Sequence, residues 1–227
     1  MNKLMLFSTL VEVSILVPVI IIFLKRKYIH SELRILIYYV AITLIRNFFG
    51  VTSDLLFYTG GNNFNTLFFY NWHSVLGFYI IVFLYFRLLS NQYWKLFIII
   101  ATLIFTVLTV MEIPSGSITD VRTALFNKYT YTTSSLLILI IVLGYFYQLL
   151  QDLKVENITQ FPYFWVSVGL LFYFGGSLFV YLFLLKVQIG TAQITWTINS
   201  ALSFLLHITM CLAFWYSSSL SKSYKNG

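Results

Sequence analysis

Charge is what this chain has least of. Asp, Glu, Lys and Arg make up 9% of its 227 residues, against about 25% in an ordinary soluble domain. With hydrophobic residues at 59%, it lacks the charge to keep an exposed apolar surface in water. An ordinary soluble enzyme or adaptor is thereby excluded. Cysteine occurs once, at Cys211, which rules out an intrachain disulfide and any CxxC metal site. Histidine occurs three times, as His30, His73 and His207, so a histidine cluster is not available. The net charge of +7 does not mark a nucleic-acid binder, because no basic patch alternates with exposed aromatics. The basic residues sit instead at the ends of apolar runs, where anionic headgroups and the insertion machinery select them.

What is present is a series of seven apolar runs. They cover approximately Leu4–Leu24, Arg34–Phe57, Thr66–Leu89, Trp94–Met111, Tyr129–Leu150, Pro162–Leu185 and Gln193–Tyr216. At about 1.5 Å per residue they span about 27 to 36 Å, bracketing a hydrocarbon core of about 30 Å. Backbone groups left unpaired in lipid cost several kcal/mol each, so the runs are expected to be helices. Period-two segments suited to a barrel are absent from the sequence. The expected fold is therefore a single all-α integral membrane domain, a seven-helix bundle.

Loop charge orients it. Lys25, Arg26, Lys27, Arg34, Arg87, Lys95, Lys154, Lys222 and Lys225 fall on one side, and Lys3, Arg122, Lys128 and Lys186 on the other. The positive-inside rule places the N-terminus outside and the C-terminus in the cytoplasm, with the chain in the cell inner membrane. The first run is too long, and too poor in preceding charge, to read as a cleavable signal peptide. The uncharged outer turn Thr59-Gly60-Gly61-Asn62-Asn63 is short. The longest outer connection, Glu112–Lys128, is either a lid or a simple loop. No connection is long enough for an output domain.

Polar side chains at membrane depth cost about 2.5–3.5 kcal/mol, so each is expected to face the bundle interior. Glu12 lies about 12 Å and Arg46 about 16 Å from the outer end of their runs, His73 about 10 Å and Asn199 about 9 Å. Arg46, Gly50 and Asp54 share one helix face at four-residue spacing. Arg46 either pairs with Glu12 or Asp54 to lock helices together, or is held ready for an anionic ligand group. Thr195, Asn199, Ser203, His207 and Cys211 form a four-residue stripe on the last run, which is either interhelical glue or, through His207, a proton relay. Gly169, Tyr173, Gly176 and Ser177 make a small-residue face on the sixth run, and the Gly175-Gly176 pair is a candidate hinge or a site of close packing.

The stretch from Phe161 through Phe164-Trp165-Val166-Ser167-Val168-Gly169 to Gly175-Gly176-Ser177-Leu178-Phe179 resembles a segment of small multi-pass proteins of Bacteroidota, often encoded beside sensor histidine kinases. The resemblance covers roughly 20 residues and implies a signalling context with a histidine kinase as partner. Ser203-x-x-x-His207-x-x-x-Cys211 loosely resembles the Ser/His helix faces of seven-helix ceramidase and progestin-receptor-like hydrolases, which would need several more zinc ligands at one depth. The last run has no lysine for a retinal Schiff base, and no cofactor is expected. The leading expectation is a sensory protein with an outward-facing pocket lined by Glu12, Arg46, Asp54, His73 and Asn199, embedded in the bilayer and signalling through a partner. An intramembrane metal-dependent hydrolase and an accessory structural subunit are the alternatives.

Overall fold

The computed structural model describes residues 3–58, 66–112, 127–152, 158–184 and 192–223. The outer turn 59–63 and the connection 113–126 lie outside the described residues. The helices are α1 (Lys3–Ser14), α2 (Leu16–Lys25), α3 (Arg34–Tyr58), α4 (Leu67–Leu88), α5 (Gln92–Glu112), α6 (Lys128–Asp152), α7 (Pro162–Leu184) and α8 (Ala192–Ser223). Seven spans are long and apolar enough to cross a membrane, α1 and α2 together forming the first. Among the described residues the regular structure is all helix.

The first span is broken for a reason visible in the sequence. Pro18 has no N–H to offer the carbonyl of Ser14, and its ring crowds that carbonyl, so α1 stops at Ser14 and α2 starts at Leu16. Ser14 turns its hydroxyl back onto the carbonyl of Val11 at 2.6 Å.

Six spans close a ring. The first packs on α3, α3 on α4, α4 on α6, α6 on α7, α7 on α8, and α8 returns to α1 and α2. α5 stands outside this ring against α4 and α6. It buries the stripe Ile98, Ala101, Phe105 and Thr109 and leaves Ile99, Ile100, Leu103, Ile104 and Val107 exposed, as a helix facing lipid on most of its surface does. Two neighbouring pairs run parallel. Tyr85 meets Tyr145 near the C-terminal ends of α4 and α6, while Ser74 and Ser134 share a void nearer their starts. Ser8 meets Ser200, Ser14 meets His207 and Lys25 meets Trp215 along the first span and α8.

The tightest contact in the ring is α7 on α8. A Cβ on Gly169 would fall 1.9 Å from Thr209 Oγ1, and one on Gly176 would fall 2.4 Å from Leu202 Cδ1. Glycine at these two positions brings the backbones within reach. α7 is unbroken across Gly175 and Gly176, and Gly175 would meet only Leu139 at 3.6 Å.

The ends are tied as well. Glu112, closing α5, accepts hydrogen bonds at 3.0 Å from the backbone N–H groups of Tyr129 and Thr130, satisfying open donors in the first turn of α6. At the opposite end the segment after α2 is fastened to α7 and α8. His30 donates its backbone N–H to Ser217 Oγ at 2.9 Å, and Ser217 donates to the carbonyl of Tyr28 at 3.2 Å. The His30 ring meets Tyr163 Oη at 2.7 Å and Glu32 at 3.0 Å. The Ser31 hydroxyl, then a backbone hydrogen bond at Glu32 and the neighbouring His30 and Arg87, hold the Glu32 carboxyl below its ordinary pKa against the opposing effect of burial.

Candidate functional site

The interior of this bundle buries polar side chains, Arg46, Asn47, Asn199 and His207 among them, beside a large apolar core, while many further apolar side chains face outward, as expected of a chain whose solvent is lipid. At the end where α4 and α8 begin, α1, α3, α4 and α8 enclose a cavity of about 310 Å³. Glu12, Arg46, Gly50, Tyr70, Asn199 and Ser203 line it, and Thr66 and Leu67 in the first turn of α4 bring it to the end of the bundle. That volume is at the lower end of ordinary small-molecule sites.

A neutral group touches each charge in the wall. Arg46 is buried, and both its Nε (2.8 Å) and one terminal nitrogen donate to the side-chain oxygen of Asn47. Asn47 in turn donates to the backbone carbonyl of Glu12 at 2.9 Å, joining α3 to α1. The Glu12 carboxylate accepts a 2.9 Å hydrogen bond from Tyr70 Oη, and the guanidinium carbon of Arg46 lies 5.0 Å from the Tyr70 ring. Tyr70 thus touches the anion with its hydroxyl and the cation with its face. Gly50 makes room for the carboxylate, since a Cβ there would sit 2.8 Å from Glu12 Oε1. His30 and Glu32 come within 4.0 Å as an ion pair, at 3.0 Å, and Arg46 and Glu12 do not.

The expected pocket residues divide accordingly. Glu12, Arg46 and Asn199 come together on one cavity, and Ser203 of the helix-eight stripe joins them. Asn199 also accepts a 2.8 Å hydrogen bond from Ser177, linking α8 to α7. His73 does not line the cavity. Its Nε2 is 2.9 Å from Thr43 Oγ1, which turns it toward α3 and a separate void of about 20 Å³ beside Tyr39, Tyr131 and Tyr173. Asp54 belongs to α3 and Thr195 to α8, but their side chains lie outside the described set. Cys211 is a free, partly exposed thiol.

His207 and His73 are bonded alike. Thr43 donates its one hydroxyl proton to the carbonyl of Tyr39 and Ser14 donates its own to Val11. Each hydroxyl then has only lone pairs left for the imidazole, so His73 Nε2 and His207 Nδ1 (2.7 Å from Ser14 Oγ) are the donors. The two rings meet different hydroxyls on different helices. Among the described residues no three His, Cys, Asp or Glu side chains gather to hold a metal ion.

Asn47, Tyr70, Ser14 and Thr43 were among the participants that the sequence did not single out. Asn47 carried a usable signal, being a second strongly polar residue beside Arg46 at mid-membrane. Tyr70 carried none, since it is one of 17 tyrosines and its role depends on which helix faces it. No family model matches the chain, and neither a curated protein nor a solved structure matches it.

Proposed function

We propose that this chain is a membrane sensory protein whose polar cavity faces outward, binds a small polar ligand, and signals through a partner. The observation that supports this most is the setting of Arg46. A guanidinium that served only to lock helices would be expected against a carboxylate, whereas Arg46 rests on an amide oxygen at the wall of an open volume. The polar lining favours a small polar ligand over a lipophilic one. In this reading the response passes to a partner, for which a histidine kinase agrees with the resemblance around Phe161–Phe179. The first span and α8 touch at three heights, from the cavity to the far end, and offer a route for the change.

The test uses the purified protein in lipid nanodiscs, with small-molecule fractions of growth medium as probes. Wild type is expected to gain thermal stability from at least one fraction. Arg46→Ala is expected to melt within a few degrees of unliganded wild type and to gain nothing. An Arg46→Ala protein that fails to accumulate, or melts far below wild type, assigns Arg46 to the scaffold instead.

A further inference from the structure

We infer that the lipid-facing side of the bundle carries a seat for an anionic glycerophospholipid, in a groove between α2 and α3 that ends at two arginines. The groove shares no lining residue with the cavity, so either can fail without the other. Its origin is the break in the first span. Beyond Pro18 the chain is drawn toward α8, where Lys25 Nζ lies 4.4 Å from the Trp215 ring centre and Tyr28 and His30 are tied to Ser217. α2 therefore packs mainly on α8 and only lightly on α3. The space left beside α3 is a groove of about 380 Å³.

Val19, Ile22, Phe23 and Arg26 line it at i, i+3, i+4 and i+7, and Ile37 and Ala41 face them from α3. Phe23 and Ala41 are exposed, so the groove opens away from the bundle. From Val19 to Arg26 it runs about 10 Å, room for the stretch of an acyl chain nearest the glycerol. An apolar groove facing lipid accepts the tail of any phospholipid, and its end decides which one stays. Arg26 lines that end, and Arg34, also exposed, stands one turn before Ile37 on the same stripe of α3. Neither guanidinium has a hydrogen-bond or ion-pair partner among the described residues. The neighbouring carboxylate, Glu32, is engaged by His30 at 3.0 Å and by the Ser31 hydroxyl. Guanidinium groups donate paired N–H groups to phosphate oxygens, and two of them flank one tail groove from two helices. A zwitterionic headgroup would bring a second cation into this basic cluster, which an anionic headgroup does not.

The test uses the full chain purified in detergent and stripped of lipid, with native mass spectrometry counting the lipids retained. Phosphatidylglycerol and phosphatidylcholine with identical acyl chains are the probes, and glycerol 3-phosphate serves as a headgroup without a tail. Wild type is expected to hold one phosphatidylglycerol about tenfold more tightly than phosphatidylcholine, and to hold no glycerol 3-phosphate at the same concentration. The double variant Arg26→Gln/Arg34→Gln is expected to bring phosphatidylglycerol down to the level of phosphatidylcholine. Ala41→Phe plugs the groove and keeps both arginines. It is expected to melt within a few degrees of wild type and to lose about tenfold in phosphatidylglycerol affinity, with Ala41→Leu as the smaller plug if the phenylalanine variant does not accumulate. Equal affinity of wild type for the two lipids overturns the site. A preference for phosphatidylglycerol that is lost with the arginines but kept in the plugged variant leaves a charged rim without a seat, and overturns it too. A wild-type dimer that Ala41→Phe converts to a monomer gives the groove to a second copy of the chain instead of a lipid.

Discussion

Tyr70 makes two of the cavity's contacts with one side chain, and its substitutions separate them. Tyr70→Phe keeps the ring 5.0 Å from Arg46 and removes the hydroxyl that donates to Glu12. The loss is expected to be about 1–3 kcal/mol, the range for a buried acceptor deprived of its donor, measured as a fall in unfolding temperature. The hydroxyl–imidazole pair between Ser14 and His207 is a second case. A double-mutant cycle with Ser14→Ala and His207→Ala should return a coupling of about 0.6 kcal/mol, typical of a hydrogen bond between membrane helices. A coupling near zero would mean that the ring is held by packing alone. At the other end of the bundle, Glu32 has a depressed pKa, so its contribution is present above the ordinary carboxylate value and lost as pH falls through the folded one. Glu32→Gln should therefore flatten the acid side of a stability-against-pH curve and leave the neutral region little changed.

The helices themselves were legible from apolar length, and their observed ends lie close to those of the runs except for α8, which continues to Ser223. The break in the first span was legible in principle from Pro18, because a proline inside a helix frees the carbonyl four residues back. The contribution of each glycine was not. Gly169, Gly175 and Gly176 look alike in sequence, yet only the first and third face α8 closely, and facing is decided by rotation of a helix about its axis. Their substitutions should differ accordingly. Gly169→Ala pushes a methyl group into Thr209 and is expected to cost about 1–3 kcal/mol as overpacking. Gly175→Ala meets only ordinary contact at Leu139 and should be neutral or mildly stabilising, by up to about 1 kcal/mol. If Gly175→Ala folds well but loses the ligand response, the bending of α7 at this point is part of the signal.

For the whole molecule, the sequence supplied the number of spans and an expected direction, while the order of helices around the ring came only from the structure. Glu12, Arg46 and Asn199 could be expected to face inward because lipid penalises them. That they would share a volume, and that His73 would not, depended on Thr43 drawing the imidazole toward a different wall. Direction can be tested in a Cys211→Ser background, where a cysteine placed at Ser31 is expected to react with an impermeant thiol reagent only from the cytoplasmic face. Reaction from the opposite face reverses the orientation and turns the cavity inward. The outlying position of α5 bears on the same question of direction. α4 and α6 lie side by side and point the same way, which a continuous chain can achieve only by crossing back between them. α5 is that return stroke. It lends no side chain to the cavity wall, yet deleting it would bring α6, α7 and α8 into the membrane upside down. Asn199 and Ser203 would then arrive at the wrong depth, so a helix with no part in the cavity wall sets the parity on which that wall depends.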